Sequence, residues 1–381
     1  MADVTYAKGL EGVIAGESRI CKVDGEKGRL YYYGYRIRDL AENASFEETT
    51  YLLLYGELPT ADQLADFRIK MRSARELTPP ILTMIKDFPR TSHPMELLQS
   101  VINFLSGYVD HKIAHSPTCN CRNTLHQIAQ LPSVVAAFHR YKNGLEPLPP
   151  RDDLSHGANF LWMLTGREPD DEDGNIMDKC LVLHAEHSFN ASTFTARVVA
   201  STLSTCYCSI SAAIGSLYGS LHGGANEKVM AMVEEIENVE NVRPWLDHAL
   251  MEKRKIMGMG HRVYKAKDPR SVIMEQFLER LSEKYGDSRN LEILKEVEKV
   301  FREKMEEKGK PIYPNVDFFS GAVYSLLGIP TNLFTPIFAI ARSSGWLAHI
   351  LEQRQDNRLF RPKALFVGDV ERPWPSIGSR I

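Results

Sequence analysis

Past residue 35, this chain of 381 residues is patterned overwhelmingly for helix, which leaves little room for a sheet-based fold. Residues 18 to 35 alternate instead. They are rich in Tyr, Ile and Val, and Asp24-Gly25 and Lys27-Gly28 separate the two halves, so they read as a small β-hairpin. Ser45 with Glu48, and Thr60 with Gln63, stand at capping-box spacing and mark helix starts. Pro79-Pro80, Pro94, Pro132, Pro149-Pro150 and Pro311 punctuate later helices. The run from Ile176 is apolar until it turns polar at Glu186. Ala191 to Leu217 is small and apolar on nearly all sides and predicts one buried helix. Glu275 to Lys308 is highly charged but keeps an apolar stripe through Phe277, Leu281, Leu294, Val297 and Phe301, which predicts surface helices. No internal repeat or long linker interrupts this pattern, and His115 to Asn123 reads as a mobile loop. The expectation is a mainly α fold with a small N-terminal β-hairpin.

Charge and hydropathy exclude several classes of function. Lys and Arg number 46 against 49 Asp and Glu, a formal charge of −3, so no basic excess argues for nucleic acid or an anionic membrane surface. The most apolar stretch, Thr331 to Leu351, carries Arg342 in its middle, so no transmembrane helix is expected. Met-Ala-Asp-Val-Thr-Tyr at the N-terminus shows no basic region followed by an apolar one. The six cysteines include the pairs Cys119/Cys121 and Cys206/Cys208, but no histidine or further cysteine flanks either pair at zinc spacing. They read as reduced thiols of a cytoplasmic protein, with no metal expected.

Three segments concentrate the reactive side chains: Leu221-His-Gly-Gly-Ala-Asn-Glu227, Gly258-Met-Gly-His-Arg-Val-Tyr-Lys-Ala-Lys-Asp-Pro-Arg270 and Tyr313-Pro-Asn-Val-Asp-Phe-Phe-Ser-Gly321. The first two set a histidine beside glycines, and the third sets Asp317 between a Pro-Asn turn and a Ser-Gly pair. Glycine brings backbone close to a ligand at a cost in stability, so this combination suits a small, polar, carbonyl-containing substrate. Arg270 follows an Asp-Pro turn signal, Arg342 interrupts an apolar helix, and Arg361 follows a polar stretch. Several arginines available to one site suit a ligand with more than one carboxylate. An aspartate base with neutral histidine donors suits proton removal next to a carbonyl. Each residue also has a structural reading: His222 bonded to backbone at a helix end, Arg342 in an ion pair, Lys265 and Lys267 as solvated charge. Spacing alone does not bring these residues together.

The wording Leu221-His-Gly-Gly-Ala-Asn226, Gly260-His-Arg-Val-Tyr-Lys265 and Pro314-Asn-Val-Asp317, in this order, resembles citrate synthase, and the resemblance runs from Gly9-Leu-Glu-Gly12 to Arg361-Pro-Lys363. It implies a two-domain helical fold, with a large domain from residues 1–221 and 329–381 and a small one from 222–328. It implies that acetyl-CoA condenses with oxaloacetate without a cofactor. Asp317 would take a methyl proton, His222 would bond the thioester oxygen, and His261 would polarise the ketone. Oxaloacetate would be held by His187, Arg270, Arg342 and Arg361, with Asn190 in support. Ser188 stands where the family commonly has Glu or Gly. CoA would lie along Gly258, Met259 and Gly260, near Lys265 and Lys310. Arg361 would reach across a homodimer interface, for which the apolar helices at Ala191 to Leu217 and Phe334 to Leu351 would provide surface.

Three other functions remain open from sequence. The first is 2-methylcitrate synthesis from propionyl-CoA, since one methylene discriminates by only about 1–3 kcal/mol. The second is metal-dependent hydrolysis by His184, Glu186 and His187, whose His-x-x-His spacing fits one helical face. The third is a helical binding protein that has the fold without turnover.

Overall fold

The computed structural model describes residues 6–109 and 121–380, with no side chains described for residues 121–124. The expected mobile loop lies outside the described residues, save for residues 121–123, which open a helix. Near the N-terminus stands an antiparallel sheet of β1 (Cys21–Asp24), β2 (Arg29–Tyr32) and β3 (Tyr35–Arg36), ordered β1-β2-β3. Cys21 pairs with Tyr32 and Asp24 with Arg29, so the expected hairpin forms. The short β3 is an addition. Tyr33 and Gly34 both take positive φ, which folds the chain back after only two residues.

The helices that follow are α1 (Ile37–Asn43), α2 (Phe46–Tyr55), α3 (Ala61–Ser73), α4 (Pro79–Asp87), α5 (Pro94–Ser106) and α6 (Cys121–Lys142). Next come α7 (His156–Thr165), α8 (Asp171–His184), α9 (Ala191–Ser201), α10 (Cys206–Tyr218), α11 (Ala225–Ile236) and α12 (Val242–Met251). The series closes with α13 (Pro269–Tyr285), α14 (Arg289–Glu306), α15 (Asp317–Leu326) and α16 (Phe334–Gln355). Thr60 and Gln63 form both bonds of a capping box at α3. Ser45 caps α2 through the N–H of Glu48, without the reciprocal bond. Pro79 and Pro94 open α4 and α5, where the missing N–H costs nothing.

Two sequence expectations fail locally. Pro132 does not end a helix but lies buried inside α6, held by packing that outweighs the lost backbone bond. Ala191 to Leu217 is not one helix. The chain breaks at residues 202–205, where Leu203 takes a φ of +61° and the Thr205 hydroxyl caps the N–H of Cys208. A local side-chain cap there competes with continuation of an apolar pattern that alone would run on.

α16 is the central element. It is buried along nearly its whole length and packs against α2, α6, α8, α9 and α10. Enclosed by its own subunit, it offers no surface for the interface expected of it. Helices α11 to α15 pack chiefly on one another, with lighter contacts from α13 to α1 and α8 and from α11 to α16. The stripe on α13 and α14 is buried at Phe277, Leu281, Leu294, Val297 and Phe301. No helix among the described residues is long and apolar enough to cross a membrane.

Candidate active site

The site lies where three chain segments meet beside α16. The loop at Gly258–Gly260 is clamped to the segment before α15. Gly260 N–H donates to the Tyr313 carbonyl at 2.8 Å, Asn315 N–H to Gly258 at 2.9 Å, and Asn315 Nδ2 to Gly260 at 2.9 Å. Gly258 and Gly260 take φ of +72° and +86°, and a Cβ on Gly258 would stand 2.8 Å from the Phe318 ring, so glycine is required for this approach. The clamp ties the loop that leads into His261 to the segment that leads into Asp317, which opens α15.

Each histidine has one nitrogen committed. His261 Nδ1 accepts from the backbone N–H groups of Val263 (3.0 Å) and Tyr264 (3.1 Å), so a neutral ring carries its proton on Nε2. His222 Nε2 accepts from the N–H of Ser192 at 3.2 Å, so a neutral ring carries its proton on Nδ1. The Ser192 hydroxyl lies 2.9 Å from the same nitrogen and accepts from Trp346 Nε1. Burial, reinforced by Arg342, lowers the pKa of His222 to about 4. Burial and Arg270 lower that of His261 to about 4, against an opposing push from Asp268. Both rings are neutral donors at pH 7.

Asp317 presents the opposite chemistry. Its backbone N–H donates to Asn315 Oδ1, but its own Oδ1 is buried with no hydrogen-bond partner among the described residues. Burial raises its pKa to about 7, although Arg270 and Arg342 pull it down. A carboxylate with one unsatisfied oxygen, poised near neutral pH, is suited to accept a proton.

Arg270 and Arg342 face this centre from different elements. Arg270 lies in the first turn of α13, is 2 % exposed, and grips Asp268 through Nε (3.1 Å) and Nη2 (2.7 Å). Burial opposes its charge, but Asp268 outweighs burial and holds the guanidinium protonated. Arg342 is 1 % exposed, donates from Nε to the His184 carbonyl at 2.7 Å, and stacks on Phe338. Burial lowers its pKa and the charge of Glu186 partly offsets this, but no carboxylate among the described residues forms a direct ion pair with it, so its guanidinium can still meet an anion from outside. Its field reaches His187, His222 and Asp317, while that of Arg270 reaches His187, His261 and Asp317, so one centre feels both charges.

His187 follows α8 and points at Tyr264, whose hydroxyl is 3.2 Å from its Nε2. Burial and the two arginines depress its pKa well below the usual value. Asn190 caps α9 by accepting from Thr193 N–H and the Ser192 hydroxyl, which fixes the turn that holds His222. Ser188 takes a φ of +54° there.

The metal-site reading fails on geometry. His184 Nδ1 bonds the Cys180 carbonyl, Glu186 Oε1 bonds His349 Nε2 at 2.9 Å, and His187 turns to Tyr264. These three side chains do not converge, and no other group of three candidate ligands does among the described residues.

The family model for the citrate synthase C-terminal domain matches residues 9–363. A citrate synthase from Synechocystis is 47 % identical over 99 % of this chain and 94 % of its own length. The chain belongs to the citrate synthase family. A 2-methylcitrate synthase from Shewanella oneidensis is 40 % identical, covering 98 % of this chain and 97 % of its own. The citrate synthase of Thermoplasma acidophilum, solved as a ternary complex with carboxymethyl coenzyme A and oxaloacetate, superposes with a TM-score of 0.92. It is 33 % identical over 99 % of this chain and all of its own.

Of the residues that the resemblance to citrate synthases singled out, the fold gathers His187, His222, His261, Arg270, Asp317 and Arg342. Arg361 is not among them. It is exposed, bonds the Pro362 carbonyl, and lines an open surface cleft of about 1170 Å³ with Arg197, Phe194 and Phe360. Met259 is buried, Lys310 is exposed, and Lys265 ion-pairs with Glu26 of the hairpin turn. Lys267 is an ion-pair residue, held by Glu275 and Glu298, each at 2.8 Å. Sequence reasoning missed Ser192, Tyr264, Asp268 and Asn315. Asp268 had a local signal, as the helix-capping residue before Pro269, and Asn315 had one in its Pro-Asn turn; Ser192 and Tyr264 had none.

Proposed function

We propose that this protein condenses acetyl-CoA with oxaloacetate and water to give citrate and CoA, as an acyltransferase. The observation that carries this reading is the pairing of two neutral, tautomer-fixed histidine donors with a carboxylate of raised pKa, near a buried arginine that makes no direct ion pair among the described residues. Asp317 takes a proton from the acetyl methyl group, and the Nδ1–H of His222 bonds the thioester oxygen of the enol. Nε2–H of His261 polarises the ketone of oxaloacetate, which the enol carbon attacks to form the new carbon–carbon bond. Water then cleaves the thioester, releasing CoA and citrate. Preorganised donors at developing oxyanions supply a large share of such catalysis. Arg270, Arg342 and His187 hold the oxaloacetate carboxylates. The backbone of Gly258 to Gly260, with Lys265 and Lys310, takes CoA. Base and donors are all side chains, so the reaction needs no metal or other cofactor.

Residues 222–328 form a smaller domain in this reading and close over the rest once oxaloacetate binds, excluding water from the enol. The active form is a homodimer in which Arg361 serves the neighbouring site. Its exposure in a surface cleft whose lining includes none of the site histidines supports this, as does the C-terminal segment, which exposes Phe366, Val367, Trp374 and Ile377. The thiols of Cys21, Cys180 and Cys208 support a cytoplasmic location. CoA release measured in parallel with acetyl-CoA and propionyl-CoA, with and without oxaloacetate, tests the reaction. Oxaloacetate-dependent release favouring acetyl-CoA is expected. A preference for propionyl-CoA would make 2-methylcitrate the product, and release independent of oxaloacetate would overturn the condensation.

A further inference from the structure

Tyr264 is buried on the loop between His261 and α13, and it touches both histidines that face the ketone side of the site. Its backbone N–H donates to His261 Nδ1 at 3.1 Å, and its hydroxyl lies 3.2 Å from His187 Nε2. The three rings form a closed triangle. Centroids are 4.7 Å apart for His261 and Tyr264, 5.6 Å for His187 and Tyr264, and 5.2 Å for the two histidines. The loop is pressed into this position by the N-terminal sheet. Lys265 N–H donates to the Gly25 carbonyl at 3.0 Å, and a Cβ on Gly25 would stand 2.1 Å from the Val263 carbonyl oxygen. The hairpin turn therefore backs the loop and turns Tyr264 inward.

We propose that Tyr264 is a positioning residue for oxaloacetate: its hydroxyl orients the His187 ring while its backbone N–H, together with that of Val263, sets the His261 tautomer, so one residue links the geometry of both imidazoles. This rests on the reading of His187 as an oxaloacetate ligand. The two contacts are separable by mutation. Tyr264→Phe removes the hydroxyl and keeps the ring packing and the backbone N–H. The donor to His261 is then intact, and only His187 loses its partner. A neutral hydrogen bond contributes about 0.5–1.5 kcal/mol net, so loss of ring orientation should appear as a change of roughly three- to tenfold.

The test is steady-state kinetics on wild type, Tyr264→Phe, His187→Ala and the double variant, with acetyl-CoA and oxaloacetate varied separately. In Tyr264→Phe, KM for oxaloacetate should rise about three- to tenfold, KM for acetyl-CoA should stay fixed, and kcat should fall less than about threefold. A merely structural role would move both KM values and kcat together. In the His187→Ala background, Tyr264→Phe should add nothing, because the hydroxyl then has no ring to orient. An unchanged oxaloacetate KM in Tyr264→Phe, or full additivity in the double variant, overturns the proposal. If His187→Ala itself leaves the oxaloacetate KM unchanged, the reading of His187 fails as well, which separates the two outcomes.

Discussion

The backbone N–H of Ser192, in the first turn of α9, donates to Nε2 of His222 at 3.2 Å. That contact decides which nitrogen of His222 is left to donate to a substrate. Ser192→Ala keeps the N–H and loses only the hydroxyl, so kcat should fall by less than about tenfold. His222→Ala removes the donor itself and should lower kcat by about 10²–10³. Turnover at saturating substrates distinguishes them. Equal losses would mean that the hydroxyl, not the backbone, fixes the ring.

Asp317 should be the general base. Asp317→Ala should lower turnover by about 10²–10⁴-fold while oxaloacetate still binds, as calorimetry can read. Because burial raises its pKa to about 7, turnover in the wild type should rise with pH through about 7 as the carboxyl ionises. The same shift has a stability sign. The folded pKa lies above the unfolded value near 3.8, so folding is favoured by protonation and the benefit is lost as pH rises through about 7. Asp317→Asn should therefore stabilise the protein at pH 8, by up to about 4 kcal/mol, and have little effect near pH 4. Thermal unfolding at the two pH values checks this, and a variant less stable than wild type at pH 8 would contradict it.

Arg342 should hold a substrate carboxylate. Replacing it with leucine, in a nearly dry position beside Phe338, should weaken oxaloacetate binding by roughly 2–5 kcal/mol. Calorimetry with oxaloacetate alone reads this directly, and unchanged affinity would remove Arg342 from the site.

Mixed dimers test whether Arg361 acts across subunits. Arg361→Ala and Asp317→Ala proteins should each be inactive. In a mixed dimer one site carries both defects and the other carries neither, so part of the activity should return. Verified subunit exchange with no recovery would rule out the shared site.

Much of the helical order was legible because local chemistry writes it. Thr60 with Gln63 makes its capping box, and Pro79 and Pro94 sit where helices begin. What misled was pattern without context. Pro132 looks like a terminator, yet dense packing around α6 holds it inside a helix. Ala191 to Leu217 looks continuous, yet the Thr205 cap and the left-handed Leu203 divide it. Phe334 to Leu351 looked like interface because it is apolar all round, and it is apolar because it is the centre of its own subunit.

From its sequence alone, this protein was determined to be mainly helical, near-neutral in net charge, and furnished with glycine-flanked histidines, an aspartate and stray arginines. Tertiary structure decided how those side chains behave. Ser192 sets the proton of His222 from 30 residues away, Tyr264 meets His187 across 77, and the His184 carbonyl anchors Arg342 across 158. The physical reason is that residue type fixes which protons a side chain can carry. Which nitrogen carries one, how strongly a carboxylate holds one, and whether a buried cation has a partner depend on groups that only folding brings within about 3 Å.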